Sequence, residues 1–399
     1  MVKHPLHEVA IAGIHNTRQA RVLEGYTAPS ITLEAVRGVL DDAGLKPSDI
    51  DGVSVTTGRA AGAMDSRPFV YMAGIGPAWT SQGNPGSGIG AILEAAMAIA
   101  TGQCNTVLLA AGSAGVYTER ESTAPWTRPN NEFVACWGLF TAAEFALMAR
   151  RHMHTYGTKP EHLATVAATI RNNGHVNPEA IYRGRGPFIP QDILDSRMVA
   201  DPYHLLDCAM TSEGGCAMIM TRADLAKDMK QKPVYVLGGG KDTFGNAYYH
   251  PPAFDLQGRR GEKYPAGYVG RQAAERSFEM AGIKPKDVDT CEFYDPFSFE
   301  IIRQFEAFGF CGEGEGGDFI MNGRIEASGE FPVTTDGGLM SFSHGGSAVQ
   351  LMQRAMRGVQ QIRGVCPSGQ VEGAKVAMCT NGGAGALFTD VIILGDQQP

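Results

Sequence analysis

EAVRGVLDDAGLKPSDIDGV at residues 34–53 and AAERSFEMAGIKPKDVDTC at residues 273–291 carry one pattern twice. In the first copy Ala35, Val36, Val39, Leu40 and Ala43 recur three and four apart, which predicts one buried helix face. An Ala-Gly pair then ends each helix, glycine being the residue that most readily takes the left-handed turn found there. Lys-Pro opens a turn, and Asp-Ile-Asp or Asp-Val-Asp leads into an apolar strand. Two such copies predict a duplicated α/β unit.

The surroundings agree. Before the first copy lies the buried strand VAIAGI (9–14). The helix spans SITLEAVRGVLDDAGL (30–45) and the next strand DIDGVSVTTG (49–58). The helix GIGAILEAAMAIATG (88–102) and the strand TVLLAAG (106–112) follow. Around the second copy stand VYVLGGG (234–240), the helix YVGRQAAERSFEMAGI (268–283), VDTCEFYD (288–295) and FEIIRQFEAFGF (299–310). The helix AVQLMQRAMRGVQQIRG (348–364) and the strands VAMCT (376–380) and LFTDVIIL (387–394) complete this half. Continuous apolar strands alternating with helices predict a mostly parallel sheet covered on both faces. Residues 115–210 break the rhythm with STAPWTRPNNEF and the helices FTAAEFALMARRHMHTYG and KPEHLATVAATIRNNG, and read as a loop domain inserted over the first sheet. The expected organisation is a first half at 1–222, carrying that insertion, and a second half at 223–399.

Lys and Arg number 34 against 42 Asp and Glu, a net charge of −8, which disfavours a partner that must neutralise nucleic-acid phosphates. No 18-residue apolar run predicts a membrane span and MVKHPLHEVAIAGIH lacks the pattern of a secretion signal, so a cytoplasmic protein is expected. The eight cysteines are scattered without a C-x-x-C pair, and predict neither a disulfide scaffold nor a metal site.

Four motifs in order along the chain resemble the thiolase superfamily, and its lipid-transfer-protein or sterol-carrier-protein-x branch in particular. TTDGGLMSFSHGGS (334–347) resembles the family's late G-H-x-x-G loop and puts His344 at the catalytic histidine. CTNGGAGAL (379–387) resembles the C-terminal C-x-G-G-x-G loop and puts Cys379 at the proton-shuttling cysteine. TSEGGCAMIMT (211–221) is similar to the segment closing the first half, and EFYDPFSFE (292–300) stands where the family has N-E-A-F or H-D-x-F. The resemblance implies two similar βαβαβαββ halves packed as α/β/α/β/α layers with an inserted loop domain. It also implies coenzyme A thioesters as substrates, no bound cofactor, a homodimer paired through the first half, and for this branch a small zinc-ribbon/OB-fold partner subunit.

The departure from the family lies at TSQGNPGSGIGA (80–91). Asn84 and Gly86-Ser87-Gly88 match the surroundings of the nucleophilic cysteine, so its position falls on Pro85, and no cysteine lies between Met1 and Cys104. Ser87 offers a hydroxyl nearby, but a serine without an adjacent base is a poor nucleophile, which disfavours a covalent acyl-enzyme. Steroid side-chain aldolases of this branch share the Tyr-Asp motif at Tyr294 and lack that cysteine. The resemblance therefore implies retro-aldol cleavage of a β-hydroxyacyl-CoA, with Tyr294, His344 and Cys379 as the catalytic set. The aldolases place a second tyrosine where this chain has His344. A Claisen-type thiolase or acyltransferase using His344 and Cys379, and a non-catalytic acyl-CoA or lipid carrier, are the alternatives. His175, Arg183 and Arg185, with Arg171 nearby, are candidates for the coenzyme A arm and its phosphates, beside Ser87, Gly345 and Gly382. His15, His204 and Cys104 read more simply as packing or surface residues. GGGKDTFG (238–245) lacks the spacing of a phosphate loop.

Overall fold

The two copies of the repeat fold alike in a computed structural model that describes residues 4–57, 65–81, 88–115, 141–243, 269–383 and 388–399. Helix α1 (Ala28–Ala43) starts on Thr27 and Ser30, which bond each other's backbone N–H, and ends at Gly44 with φ 72°. Its counterpart in the second half, Arg271–Ala281, ends at Gly282 with φ 68°. In the turns that follow, the Asp49 carboxylate accepts from Lys46 N at 2.8 Å and Asp287 from Lys284 N at 2.9 Å. The second aspartate of each copy ties down the next strand over: Asp51 accepts from Asn105 N and Thr106 N, and Asp289 from Lys375 N and Val376 N. Each carboxylate satisfies strand-end amides that would otherwise lack a partner.

The strands are β1 (Val9–Asn16), β2 (Gly52–Thr57), β3 (Trp79–Thr80), β4 (Thr106–Ser113), β5 (Met198–Ala200), β6 (Tyr203–His204), β7 (Gly214–Arg222), β8 (Val234–Thr243), β9 (Thr290–Glu292), β10 (Val376–Gly383) and β11 (Phe388–Gly395). Nine of them form one sheet in the order β3-β2-β4-β7-β1-β8-β11-β10-β9. The order is a palindrome of the two halves about the antiparallel contact of β1 with β8, where Ala10 pairs with Tyr235. The expectation of a mostly parallel sheet is half met. β2 and β3, β2 and β4, and β9 and β10 run parallel, whereas β7 and β11 return antiparallel beside their neighbours. Among the described residues the first half contributes five strands and the second four.

Besides α1, the other longer helices are α2 (Ser66–Ala73), α3 (Gly88–Ala100), α4 (Thr141–Tyr156), α5 (Pro160–Val176), α6 (Arg271–Ala281), α7 (Ser298–Ala307) and α8 (Ser347–Arg363). α3 and α8 pack together in one core with Val107, Met218, Ala377 and Ile392, so they fill the layer between the two halves of the sheet. α1 and α2 cover the outer face of the first half with Val53, Leu108 and Ile219, and α6 and α7 cover the second. The result is the expected α/β/α/β/α layering.

One expectation is overturned. The described part of the insertion does not sit over the first sheet: Phe145, Leu163, Ile170 and Tyr203 share a core with Phe297, Phe299 and Ile302 of the second half. Phe297 packs 4.9 Å from Phe145 and 5.0 Å from Tyr203, ring centre to ring centre. Beside them His152 bridges Thr158 at 2.8 Å and Glu306 of α7 at 3.0 Å. The aromatic run FSFEIIRQF supplies the apolar face on which the insertion docks.

Candidate active site

The loop that connects residue 334 to α8 is suspended on buried charge. Asp336 takes two bonds from Arg354, at 2.8 and 2.6 Å, and one from Gly338 N at 2.8 Å. Thr335 donates to Glu292 at 2.6 Å and receives Arg357 and Gln361, each at 2.8 Å. Arg354 holds the Asp336 carboxyl below the usual carboxylate range despite burial, whereas burial and the neighbouring Asp336 push Glu292 up. From this anchorage the chain makes a π-helical turn, Gly338–Phe342. Asp295 receives Leu339 N at 2.9 Å and Met340 N at 3.2 Å, and burial raises its carboxyl to about 7. Gly338, with φ 55°, leaves no room for a side chain, since an added Cβ would lie 2.2 Å from the Asp295 carboxylate.

His344 follows that turn and stands just before α8. Its Nδ1 meets the Met210 carbonyl and its backbone N–H donates to Ser212 Oγ at 2.7 Å. A carbonyl only accepts, so Nδ1 carries the proton and Nε2 is the basic nitrogen. Burial lowers this imidazole to about 4, which keeps it neutral at pH 7. Ser343 Oγ donates to Gln19 Oε1 at 2.8 Å, and Gly345 lies between Gly214 and Val349, so the segment 211–216, the end of β1 and the His344 loop are one assembly.

Tyr294 lies just beyond β9. It is buried in a small cluster with Leu339, against which Ala209 packs. Ala209 adjoins Met210, the acceptor of His344, so the segment 209–212 touches the Tyr294 cluster at one residue and His344 at the next. Gly382 lies under the tyrosine ring: a Cβ there would be 3.2 Å from Tyr294 Cδ1.

Cys379 does not join them. Its side chain faces the layer of α3 and α8, where a Cβ on Gly358 would meet its sulfur at 2.6 Å. Gly358 lies eleven residues into α8, about 16 Å along the axis from the end that carries His344. Burial raises its thiol further above an already unreactive value. The structure thus puts the Cys379 side chain in the core between α8 and β10. Alternate residues of a strand face opposite sides, and the motif instead presents Thr380 to the Tyr294 side, a residue the sequence reading passed over.

The remaining candidates divide. Arg171, first read with the basic stretch, is buried and donates to the carbonyls of Leu206 at 2.7 Å, Cys208 at 2.9 Å and Met340 at 3.1 Å, so it is a brace between the insertion and the π-turn. Arg183 and Arg185 are exposed, the latter 4.5 Å over the Tyr182 ring. Their segment is sewn to the π-turn by Tyr182 N to Ser341 O at 3.1 Å. His175 packs against Gly186, and His204 stands 3.6 Å from Asp207. Asn84, Pro85 and Ser87 lie outside the described residues. Among the described residues no cluster of His, Cys, Asp and Glu could hold a metal ion, and no helix is long and apolar enough to cross a membrane.

Layers, motif order and site together define a thiolase-type protein, and comparison with known families agrees. Residues 9–184 match the thiolase N-terminal domain and residues 266–396 the thiolase C-terminal domain-like family. The chain belongs to the thiolase superfamily and is an acyl-CoA enzyme of it. It is 33% identical to the 17-hydroxy-3-oxo-4-pregnene-20-carboxyl-CoA lyase of Mycobacterium tuberculosis, over 97% of this chain and 99% of that one. It is 31% identical to an acetyl-CoA acetyltransferase of Methanothermobacter thermautotrophicus, over 95% and 97%. Among solved structures the Ltp2-ChsH2(DUF35) aldolase is similar, with a TM-score of 0.82 and 29% identity over 98% of this chain and 99% of that one.

Proposed function

We propose that this protein cleaves a β-hydroxyacyl-CoA by a retro-aldol reaction without a covalent acyl-enzyme. The observation that supports the reading is the neutral His344, its Nε2 basic because Nδ1 is committed to Met210, whose neighbour Ala209 packs on the Tyr294 cluster. His344 Nε2 takes the β-hydroxyl proton, the bond between the α and β carbons breaks, and its electron pair forms the enolate of the shorter thioester. The Tyr294 hydroxyl donates to the thioester oxygen as charge develops there, aided by the amides at the N-terminus of α8. A proton from water or from the imidazolium then completes the shorter acyl-CoA, beside a ketone or aldehyde.

All seven described cysteines support the absence of a thiolate nucleophile, because burial raises every one of those thiols, Cys104, Cys208, Cys311 and Cys366 to about 12. The similarity to a lyase named for a steroid acyl-CoA favours a bulky polycyclic acyl group. Arg183 and Arg185 are our candidates for the coenzyme A phosphates, with Ser87 and His175 at the thioester arm. The same reading divides the chain into halves at 1–222 and 223–399. The similarity to a complex with a DUF35 subunit supports a small zinc-ribbon/OB-fold partner, and a homodimer through the first half remains part of the proposal. The resemblance to an acetyltransferase favours Claisen chemistry as the second reading.

Incubation with an acyl-CoA should leave the protein mass unchanged, while a β-hydroxyacyl-CoA is split into a carbonyl compound and the shorter thioester. Tyr294→Phe should lower turnover about 10²-fold by removing one donor to the developing oxyanion. An acyl adduct visible by mass, with Tyr294→Phe silent, would establish the Claisen reading instead.

A further inference from the structure

Tyr294 sits past the last paired residue of β9, and two buried side chains bond its backbone N–H and C=O. Thr380 Oγ1 accepts from Tyr294 N at 3.1 Å, and Gln304 Nε2 donates to Tyr294 O at 2.7 Å. The two close a ring on each other, the Thr380 hydroxyl donating to Gln304 Oε1 at 2.5 Å. Gln304 is fixed in turn by its second bond, to the Glu300 carbonyl one helical turn back at 3.0 Å. Thr380 and Gln304 come from β10 and α7, the strand and helix flanking the tyrosine, and Gly382, two residues beyond Thr380 on the same strand face, seats the ring. We infer that Thr380 and Gln304 are positioning residues that set where the Tyr294 hydroxyl points, which rests on the proposed role of that hydroxyl. A single hydroxyl that bonds both the tyrosine N–H and the amide gripping its carbonyl fixes the peptide in two directions, and a misplacement of about 1 Å is enough to cost up to about 10²-fold in rate.

Thr380→Val keeps the outline of the side chain and removes the hydroxyl, Thr380→Ser keeps the hydroxyl, and Gln304→Met breaks the ring from the other side. With β-hydroxyacyl-CoA cleavage as the assay, Thr380→Val and Gln304→Met should each lower kcat about 10-fold with KM within about 2-fold, and Thr380→Ser should stay within about 2-fold of the parent. In a Tyr294→Phe background neither Thr380→Val nor Gln304→Met should cost anything more. Losses that multiply with Tyr294→Phe would overturn the inference, and Gln304→Met gives that answer even if Thr380→Val fails to fold. Crystal structures of the variants separate this inference from the function it rests on. A tyrosine ring displaced from Gly382 with Tyr294→Phe silent sustains the positioning role and sinks the catalytic one, whereas an unmoved ring with unchanged kcat sinks the positioning role.

Discussion

His344 and Asp295 are buried groups displaced in opposite directions, and their displacements oppose each other in stability. His344 titrates near 4 when folded against about 6.5 unfolded, so the unfolded chain binds the extra proton in that window, and stability is lost as pH falls through it. Asp295 titrates near 7 folded against 3.8 unfolded, so the folded state holds the extra proton there, and stability is lost as pH rises through the same window. Removing either should uncover the other. Relative to the parent, Asp295→Asn should gain stability more steeply as pH rises from about 4.5 to about 6.5, and His344→Asn should lose it. Urea midpoints at the two ends of that range measure both slopes, and slopes of the same sign in the two variants would contradict the assignment. His344 stands out in the sequence by its Ser-His-Gly-Gly setting. On a strand one residue exchanges the two faces, and the structure turns Cys379 to the core and Thr380 to the Tyr294 side. Cys379→Ala should therefore leave turnover within about 3-fold of the parent while lowering stability by about 1–2 kcal/mol, measured by denaturant unfolding.

At the scale of elements, α8 and β10 fit through the absence of a side chain at Gly358. Alanine in a helix interior is better than glycine by about 1 kcal/mol, yet a Cβ at 358 would press on the Cys379 sulfur at 2.6 Å and on Ala377 Cβ at 3.1 Å. Overpacking of a tight core costs about 1–3 kcal/mol, so Gly358→Ala should be net destabilising. Thermal unfolding of Gly358→Ala in a Cys379→Ala background should show the penalty reduced by at least about 1 kcal/mol, since the main obstacle is gone. An undiminished penalty would place the strain elsewhere. The duplicated helix-turn-strand elements were readable because their determinants are local: the positive-φ glycines at 44 and 282 and the capping carboxylates of Asp49 and Asp287 all act within a few residues. The docking of the insertion was not readable, because α4 and α5 meet α7 across a long sequence separation and nothing local specifies the partner. The roles of Asp295, Thr380 and Gln304 are unreadable for the same reason, their partners being Leu339, Met340 and Tyr294 on other elements.

In the whole molecule the halves share more than a boundary. β1 and β8 make the sheet continuous, α3 and α8 form one layer, and the insertion from the first half rests on the second. Unfolding should accordingly be one transition by calorimetry, with the calorimetric and van't Hoff enthalpies equal. The fragments 1–222 and 223–399 should each fail to unfold cooperatively alone and recover a transition when mixed. Independent transitions from the separate fragments would show the interleaving to be incidental.

That interleaving has a consequence for synthesis. Chains emerge N-terminus first at about 5–20 residues per second, so α4 and α5 leave the ribosome well before residues 298–307 exist to receive them. For roughly 8–30 seconds at that rate Phe145, Leu163 and Ile170 can pack only among themselves and their insertion neighbours, and the face they turn to Phe297, Phe299 and Ile302 waits in water.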